Sequence, residues 1–124
     1  MESLRARAAC AWEKVQAIKH GDAQIEEEYK ALAKRFPALI HNSGLCQAVA
    51  FAFSKPEGED RKGAHRRYLD DLASVMGFAS GQQLHCRCLE AELGEYLLLT
   101  RRAMHAAGWL SRYVQAVLDG PGQG

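Results

Sequence analysis

Residues Tyr29 to Lys55 read YKALAKRFPALIHNSGLCQAVAFAFSK, and this stretch decides the fold class. Apolar residues recur every three or four positions up to Phe36, which is the spacing of a helix with one buried face. Pro37 predicts that this helix ends near Phe36 and that a short helical piece follows. Asn42-Ser43-Gly44 predicts a second break. The apolar residues from Leu45 onward predict the most buried helix of the protein.

The rest of the chain has the same helical character. Ala, Leu, Glu, Lys and Arg dominate its composition, and alternating strand patterns are nearly absent. Further helices are predicted at about residues 3–19, 22–36, 61–78, 82–88 and 90–118, with a loop at 54–60. We therefore predict an all-α fold, a single compact bundle of about six helices over residues 1–119, followed by a flexible tail at 120–124.

The predicted buried faces come from the helical spacing of apolar residues. Trp12 and Trp109 lie on apolar faces and are expected to be core or interface anchors, and Phe51 is expected in the core. The buried stripe of the last helix is predicted from ten positions: Leu93, Tyr96, Leu97, Thr100, Ala103, Met104, Ala107, Leu110, Val114 and Val117.

Length, charge and hydropathy exclude several classes of protein. The chain has 124 residues, enough for one domain, and its formal net charge of +1 excludes a polybasic tail protein. No apolar run approaches the roughly 20 residues that span a bilayer, and the first residues lack the apolar segment of a secretion signal. We therefore expect a cytoplasmic protein without membrane contact, whose four cysteines are reduced.

The sequence His85-Cys86-Arg87-Cys88 is the candidate metal site. Structural zinc takes four ligands, usually as two pairs, but Cys10 and Cys46 are isolated in the sequence. Residues one or two apart on a helix also point in different directions. Ordinary buried or half-buried cysteines are favoured, so we predict no metal, and a small zinc-dependent regulator remains the weaker alternative.

No enzyme signature is found. The five histidines lie in no catalytic motif, and the glycines form no phosphate-binding loop. Glu26-Glu27-Glu28 and Asp70-Asp71 are interpreted as solvated helix faces rather than as a general acid and base. We predict that the protein is not an enzyme and carries no cofactor.

Basic residues on the last helix point to a nucleic-acid interface. Arg101, His105 and Arg112 share one helical face, and Gly108 between them leaves room for a phosphate backbone. Arginine suits this task because its planar fork donates two hydrogen bonds to one phosphate. Arg102 flanks the buried stripe beside this face.

Other basic residues form smaller groups. Lys34-Arg35 ends the second predicted helix, and Arg61-Lys62 and Arg66-Arg67 begin the fourth. Such groups also occur as solubilising charges balanced by acids, here Asp70-Asp71, so the residues alone leave both interpretations open.

Two regions resemble the small subunit of the type III-B CRISPR effector, the Cmr complex. One is the stretch from Tyr29 through Lys34-Arg35-Phe36-Pro37 and Asn42-Ser43-Gly44-Leu45 to the Ala-Phe helix that ends at Lys55. The other is Trp109-Leu110-Ser111-Arg112-Tyr113, which is similar to a Trp-Leu-x-Arg-aromatic sequence near that family's C-terminus. The resemblance covers most of the chain in order and is densest in two distinctive regions, Tyr29–Lys55 and Tyr96–Tyr113. The regions 54–61 and 77–90 add nothing to it.

The resemblance implies a non-catalytic subunit of an antiviral ribonucleoprotein. In that family several copies stack as a minor filament beside the subunits that hold the guide RNA, and they touch the backbone of the guide–target RNA duplex. The expected partners are other Cmr subunits, copies of the chain itself, and that duplex. The residues expected to contact RNA are Arg101, Arg102, Arg112, Lys34, Arg35 and Lys55. The alternative is a helical adaptor or scaffold protein without RNA binding.

Overall fold

The computed structural model of the protein describes residues 4–55 and 63–119. These residues form six α-helices and no strand, so the prediction of an all-α fold with about six helices is confirmed. The helices are, in chain order, α1 Leu4–Lys19, α2 Ala23–Ser43, α3 Leu45–Ser54, α4 Ala64–Met76, α5 Gly81–Glu90 and α6 Leu93–Val117. The predicted tail at 120–124, the Arg61-Lys62 group and most of the predicted loop at 54–60 lie outside the described residues.

The core lies around α4, which contacts each of the other five helices. The longest helices, α2 and α6, pack extensively along each other, and α1 packs on α6 and α4. The largest fully buried side chains come from all six helices: Val15, Tyr29, Phe36, Ile40, Leu45, Val49, Tyr68, Leu69, Leu72, Met76, Leu84 and Leu110. One apolar core therefore fixes the orientation of α6, which carries most of the candidate site.

Both ends of α2 are fixed by capping residues. Asp22 caps α2 because its side chain accepts hydrogen bonds from the backbone N–H groups of Gln24 at 2.8 Å and Ile25 at 3.2 Å. Gly44 caps the other end of α2, after Ser43: its φ of 88° is a conformation that favours glycine, and its N–H donates to the carbonyl of Ile40.

The prediction that Pro37 ends the second helix is wrong. The helix α2 continues through Pro37 to Ser43. Proline removes one backbone donor, which costs helix stability. Phe36 and Ile40, on either side of it, are both buried against the other helices, and their burial offsets that cost.

The interpretation of Asp70-Asp71 as a solvated pair is also wrong. Asp71 is 6% exposed because it lies on the same face of α4 as the buried Tyr68 and Leu72. Its carboxylate accepts a hydrogen bond from the Tyr29 hydroxyl at 2.7 Å. Burial raises the pKa of Asp71 from 3.8 to about 6, against the lowering effect of that hydrogen bond.

The neighbouring Asp70 holds α5 in place. Its side chain accepts a hydrogen bond from the Gly81 N–H at 2.7 Å, at the first residue of α5. A Cβ atom at Gly81 would lie 2.8 Å from the Cβ of Leu69. Only glycine therefore allows α5 to approach α4 this closely.

The predicted stripe of α6 is wrong at its beginning. Leu93 is 74% exposed and Leu97 is 60% exposed, whereas Leu99 and Ala106 are buried instead. In the first turns of α6, Tyr96 packs against the core, whereas Leu93 and Leu97 lie on the side that faces away from it. No helix among the described residues has the length and apolar content to cross a membrane.

Candidate nucleic-acid interface

The outer side of α6 carries the basic residues that were predicted to share one helical face. We call Arg101, His105, Gly108 and Arg112 the basic face of α6. The three charged or titratable side chains of this face are exposed. His105, Gly108 and Arg112 also line an open groove of about 320 Å³, together with Met104 and Trp109. The structure therefore brings these predicted residues together around an accessible hollow.

The aromatic wall of this groove is fixed by stacked rings. Trp109 stacks on Tyr113, with ring centroids 5.6 Å apart and an angle of 22° between the planes. Trp12 of α1 meets the same tyrosine edge-on at 5.3 Å. Trp12 is 42% exposed and Trp109 is half-buried, so neither ring lies fully in the core.

Arg102 lies beside the basic face and has a different environment. Its guanidinium donates a hydrogen bond to the carbonyl of Met76 at the C-terminal end of α4. The same group lies 5.8 Å from the ring centre of Phe78. Arg102 is half-buried, whereas Arg101 is exposed, so part of its hydrogen-bonding capacity is used to join α6 to α4.

Lys34 is paired with an acid. Its ammonium group lies 2.7 Å from the carboxylate of Asp119, which also lies 3.5 Å from the ammonium group of Lys30. The hydrogen bond from Lys34 lowers the pKa of Asp119. This exposed ion pair connects α2 to the residues that follow α6.

Arg35 and Lys55 lie together at a second site. The guanidinium of Arg35 is 5.1 Å and the ammonium of Lys55 is 4.7 Å from the ring centre of Phe51. His65 meets the same ring edge-on at 6.4 Å, and a groove at this site is also lined by Glu28. Phe51 is therefore half-buried under two cations instead of fully buried in the core.

A neighbouring phenylalanine has similar partners, which the sequence did not indicate. The guanidinium of Arg66 lies 4.3 Å from the ring centre of Phe53, and His85 packs on that ring at 5.0 Å. The Phe-x-Phe spacing in α3 places the two rings on opposite edges of its buried face, but it does not indicate which side chains of other helices meet them.

The candidate metal residues do not come together. Cys86 is exposed and Cys88 is buried, as expected for helix positions two apart. Burial raises the pKa of the Cys88 thiol to about 11, with a smaller effect from Cys46. Over residues 4–55 and 63–119, no group of three His, Cys, Asp or Glu side chains is placed to hold a metal ion.

One hydrogen bond joins the two distinctive regions of the sequence. The hydroxyl of Tyr96 on α6 accepts a hydrogen bond from the backbone N–H of Cys46 at 2.9 Å. That N–H belongs to the first turn of α3, where the helix itself supplies no partner. The break at Gly44 is thus positioned by α6, and the pattern of apolar residues alone could not show this.

Comparison with known proteins gives a consistent family. The family model described as CRISPR-associated protein (Cas_Cmr5) matches residues 4–117. The CRISPR system Cmr subunit Cmr5 of Thermus thermophilus is 38% identical over 109 residues, which cover 88% of this chain and 90% of that protein. The X-ray structure of a CRISPR-associated Cmr5 family protein from Thermus thermophilus aligns with a TM-score of 0.84 at 36% identity. This alignment covers 94% of this chain and 98% of that one.

The matched residues include all six helices and both distinctive regions. This chain and the Thermus thermophilus proteins share more than one third of their residues over nearly their full lengths. They also share the arrangement of their helices. The chain belongs to the Cmr5 family, the small subunits of the type III-B CRISPR effector known as the Cmr complex.

Proposed function

We propose that this Cmr small subunit is non-catalytic and contacts the backbone of the guide–target RNA duplex in the cytoplasm. Several copies stack as a minor filament beside the other Cmr subunits, in antiviral defence. The observation that carries the RNA contact is the basic face of α6, where exposed cations flank a glycine with open space beside it.

The geometry of this face suits a phosphate backbone. Arg101 and Arg112 are eleven residues apart on α6, so they lie ~17 Å apart along the helix axis and can reach different phosphates. A Cβ atom at Gly108 would meet nothing within 4 Å, so the backbone of α6 is accessible between them. Such a face recognises charge and A-form shape, while the guide supplies sequence specificity.

The remaining predicted cations have supporting roles in this proposal. Arg35 and Lys55 lie over the half-buried Phe51 and form a second contact site for phosphate. Lys34 contributes less charge because Asp119 partly neutralises it. Arg102 contacts RNA only with the part of its guanidinium that the carbonyl of Met76 leaves available.

The corner between α5 and α6 supplies a surface for stacking. The leucine cluster consists of Leu89, Leu93, Leu97 and Leu98, which are 53% to 74% exposed. It is flanked by the exposed acids Glu90 and Glu92. Exposed apolar residues grouped in this way mark protein–protein contacts.

We assign a second copy of the chain as the partner of the leucine cluster. Trp12 and Arg5 are exposed on one face of α1, and Trp12 contacts Tyr113, which is ~30 Å from Leu93 along α6. Acids beside leucines at one end complement a cation beside a tryptophan at the other. A contact between two different surfaces is head-to-tail, and it generates a filament when the rotation between copies does not close into a ring.

The RNA contact is tested with the double variant Arg101→Ala/Arg112→Ala in the assembled complex. Both side chains are exposed, so we expect an unchanged fold and weaker target binding. The logarithm of affinity should also fall less steeply with the logarithm of salt concentration. The slope should decrease by about one unit for each phosphate that is no longer neutralised. The matched control, Lys19→Ala/Arg67→Ala on α1 and α4, removes the same charge from surfaces outside both the basic face and the proposed contact between copies. Equal target binding by wild type and the α6 variant would defeat the proposal.

An adaptor without RNA binding is the second candidate, and the leucine cluster is the observation that favours it. Such a protein associates through its apolar surface and shows no salt-dependent affinity for RNA. The same salt titration therefore distinguishes the two functions.

A further inference from the structure

The groove beside the basic face has the composition of a small-molecule site as well as of a backbone contact. Met104 and Trp109, both half-buried, form an apolar wall, and the exposed His105 and Arg112 lie at its rim. An aromatic wall with a few polar groups is typical of ligand-binding grooves. The volume of this groove, about 320 Å³, is at the lower end of the volumes of such sites.

Gly108 keeps this groove open. Glycine inside a helix costs about 1 kcal/mol relative to alanine. At Gly81, the first residue of α5, the fold requires glycine because a Cβ atom would collide with Leu69. At Gly108 a Cβ atom would meet nothing within 4 Å, so helix contacts do not require glycine. The lack of a side chain at Gly108 leaves the face of the groove accessible.

The tryptophan in the groove is held in a fixed orientation. Tyr113 stacks on it, and Trp12 supports Tyr113 from the side. A ring that is already ordered loses little conformational entropy when a ligand stacks on it. Stacking of a base on an aromatic side chain contributes about 1–3 kcal/mol, and every nucleobase has a face that can stack.

We propose that this groove binds one unpaired nucleotide of RNA. The base stacks against Trp109, and the attached phosphate is bound by Arg112, which lies about one turn further along α6. The inference rests on the proposed RNA contact of the basic face, and it adds a site for single-stranded RNA to the site for a duplex backbone.

The test fills the groove without removing any of its walls. Gly108→Gln places an uncharged side chain in the groove, and because the position is helical and unobstructed, the variant should be at least as stable as wild type. The matched control is Gly94→Gln on the same helix, where a Cβ atom also meets nothing within 4 Å. Both changes are made in the full chain carrying Trp12→Phe, which leaves Trp109 as the fluorophore.

The probe is a single-stranded oligoadenylate titrated at low salt, with a blunt RNA duplex titrated in parallel. We expect saturable quenching of Trp109 by the single strand, and roughly tenfold weaker binding in Gly108→Gln, the loss that corresponds to one stacked base. Gly94→Gln should bind the single strand as tightly as the parent protein, which carries Trp12→Phe alone. Gly108→Gln should also keep the salt dependence of the parent, whereas Arg112→Ala should lower it.

Two results would overturn the site. One is the absence of saturable quenching by the single strand, and the other is equal affinity of the parent and Gly108→Gln. If either result occurs while Arg101→Ala/Arg112→Ala still weakens binding of the duplex, the nucleotide groove fails and the duplex contact stands. If Gly108→Gln weakens binding of the single strand but Arg101→Ala/Arg112→Ala leaves binding of the duplex unchanged, the duplex contact is refuted and the nucleotide groove stands.

Discussion

Replacing Asp71 by Asn tests the most deeply buried polar contact described in the core. The Asp71 carboxylate accepts the Tyr29 hydroxyl hydrogen bond at 2.7 Å and is 6% exposed. Asparagine has nearly the same shape and retains a side-chain oxygen that can accept this hydrogen bond. The substitution therefore removes the ionisable group and leaves the contact with Tyr29 in place.

The magnitude follows from the pKa of Asp71. Burial raises it from 3.8 to about 6, with a smaller raising effect from Asp70, while Tyr29, Arg67 and Lys14 lower it. Because the folded pKa exceeds the unfolded one, the folded state retains the proton between these values, and stability falls as the pH rises through this window. The difference of about two pKa units corresponds to ~3 kcal/mol.

The assay is urea unfolding of wild type and Asp71→Asn at about pH 2.5 and about pH 7.5, values outside the window in which Asp71 titrates. The difference in free energy of unfolding between the two proteins removes the contribution of other titrating groups. This difference should shift by up to ~3 kcal/mol in favour of Asp71→Asn at the higher pH. A difference that stays constant, or that shifts toward wild type as the pH rises, would refute the reasoning.

Three further predictions concern stability and assembly. Tyr96→Phe leaves the N–H of Cys46 without its partner and should lower the free energy of unfolding by about 1 kcal/mol in denaturant titrations. Gly81→Ala forces α5 away from α4 and should cost roughly 1–3 kcal/mol, and thermal unfolding at or above the wild-type temperature would contradict the close approach. Leu93→Ser/Leu97→Ser should reduce the number of copies in the assembly without lowering the melting temperature of the free chain, and an unchanged copy number would remove the leucine cluster from the interface.

The apolar spacing predicted the helices because most of their stability comes from one buried face. Tyr29, Leu32, Ala33, Phe36 and Ile40 recur at helical intervals, and all five are buried in α2. Such a pattern is local, so the sequence alone identifies it. Pro37 misled the prediction because its local cost is smaller than the stabilisation from the buried residues around it.

The errors in the core arose where contacts between distant residues decide the outcome. Asp71 is separated from Tyr29 by 42 positions, and Tyr96 is separated from Cys46 by 50. Helical periodicity carries no information about which distant residue will satisfy a buried polar group. The exposure of Leu93 has a similar origin, since it depends on which side of α6 the other helices pack against.

The candidate site was predictable to the extent that it lies on one helix. Arg101, His105 and Arg112 share a face of α6 because of their spacing alone. The engagement of Arg102 with Met76 could not be predicted, because it depends on where α4 ends against α6. Spacing also could not show that Arg35 of α2 and Lys55, which follows α3, meet over the same ring.

The central claim is that this chain works as a repeated subunit of an RNA-guided complex. Native mass spectrometry of the tagged chain purified from its own host tests this claim most directly. We predict a large assembly that contains several copies of the chain, other Cmr proteins and a short guide RNA. Only monomers or homo-oligomers without RNA would contradict the claim and favour the adaptor function.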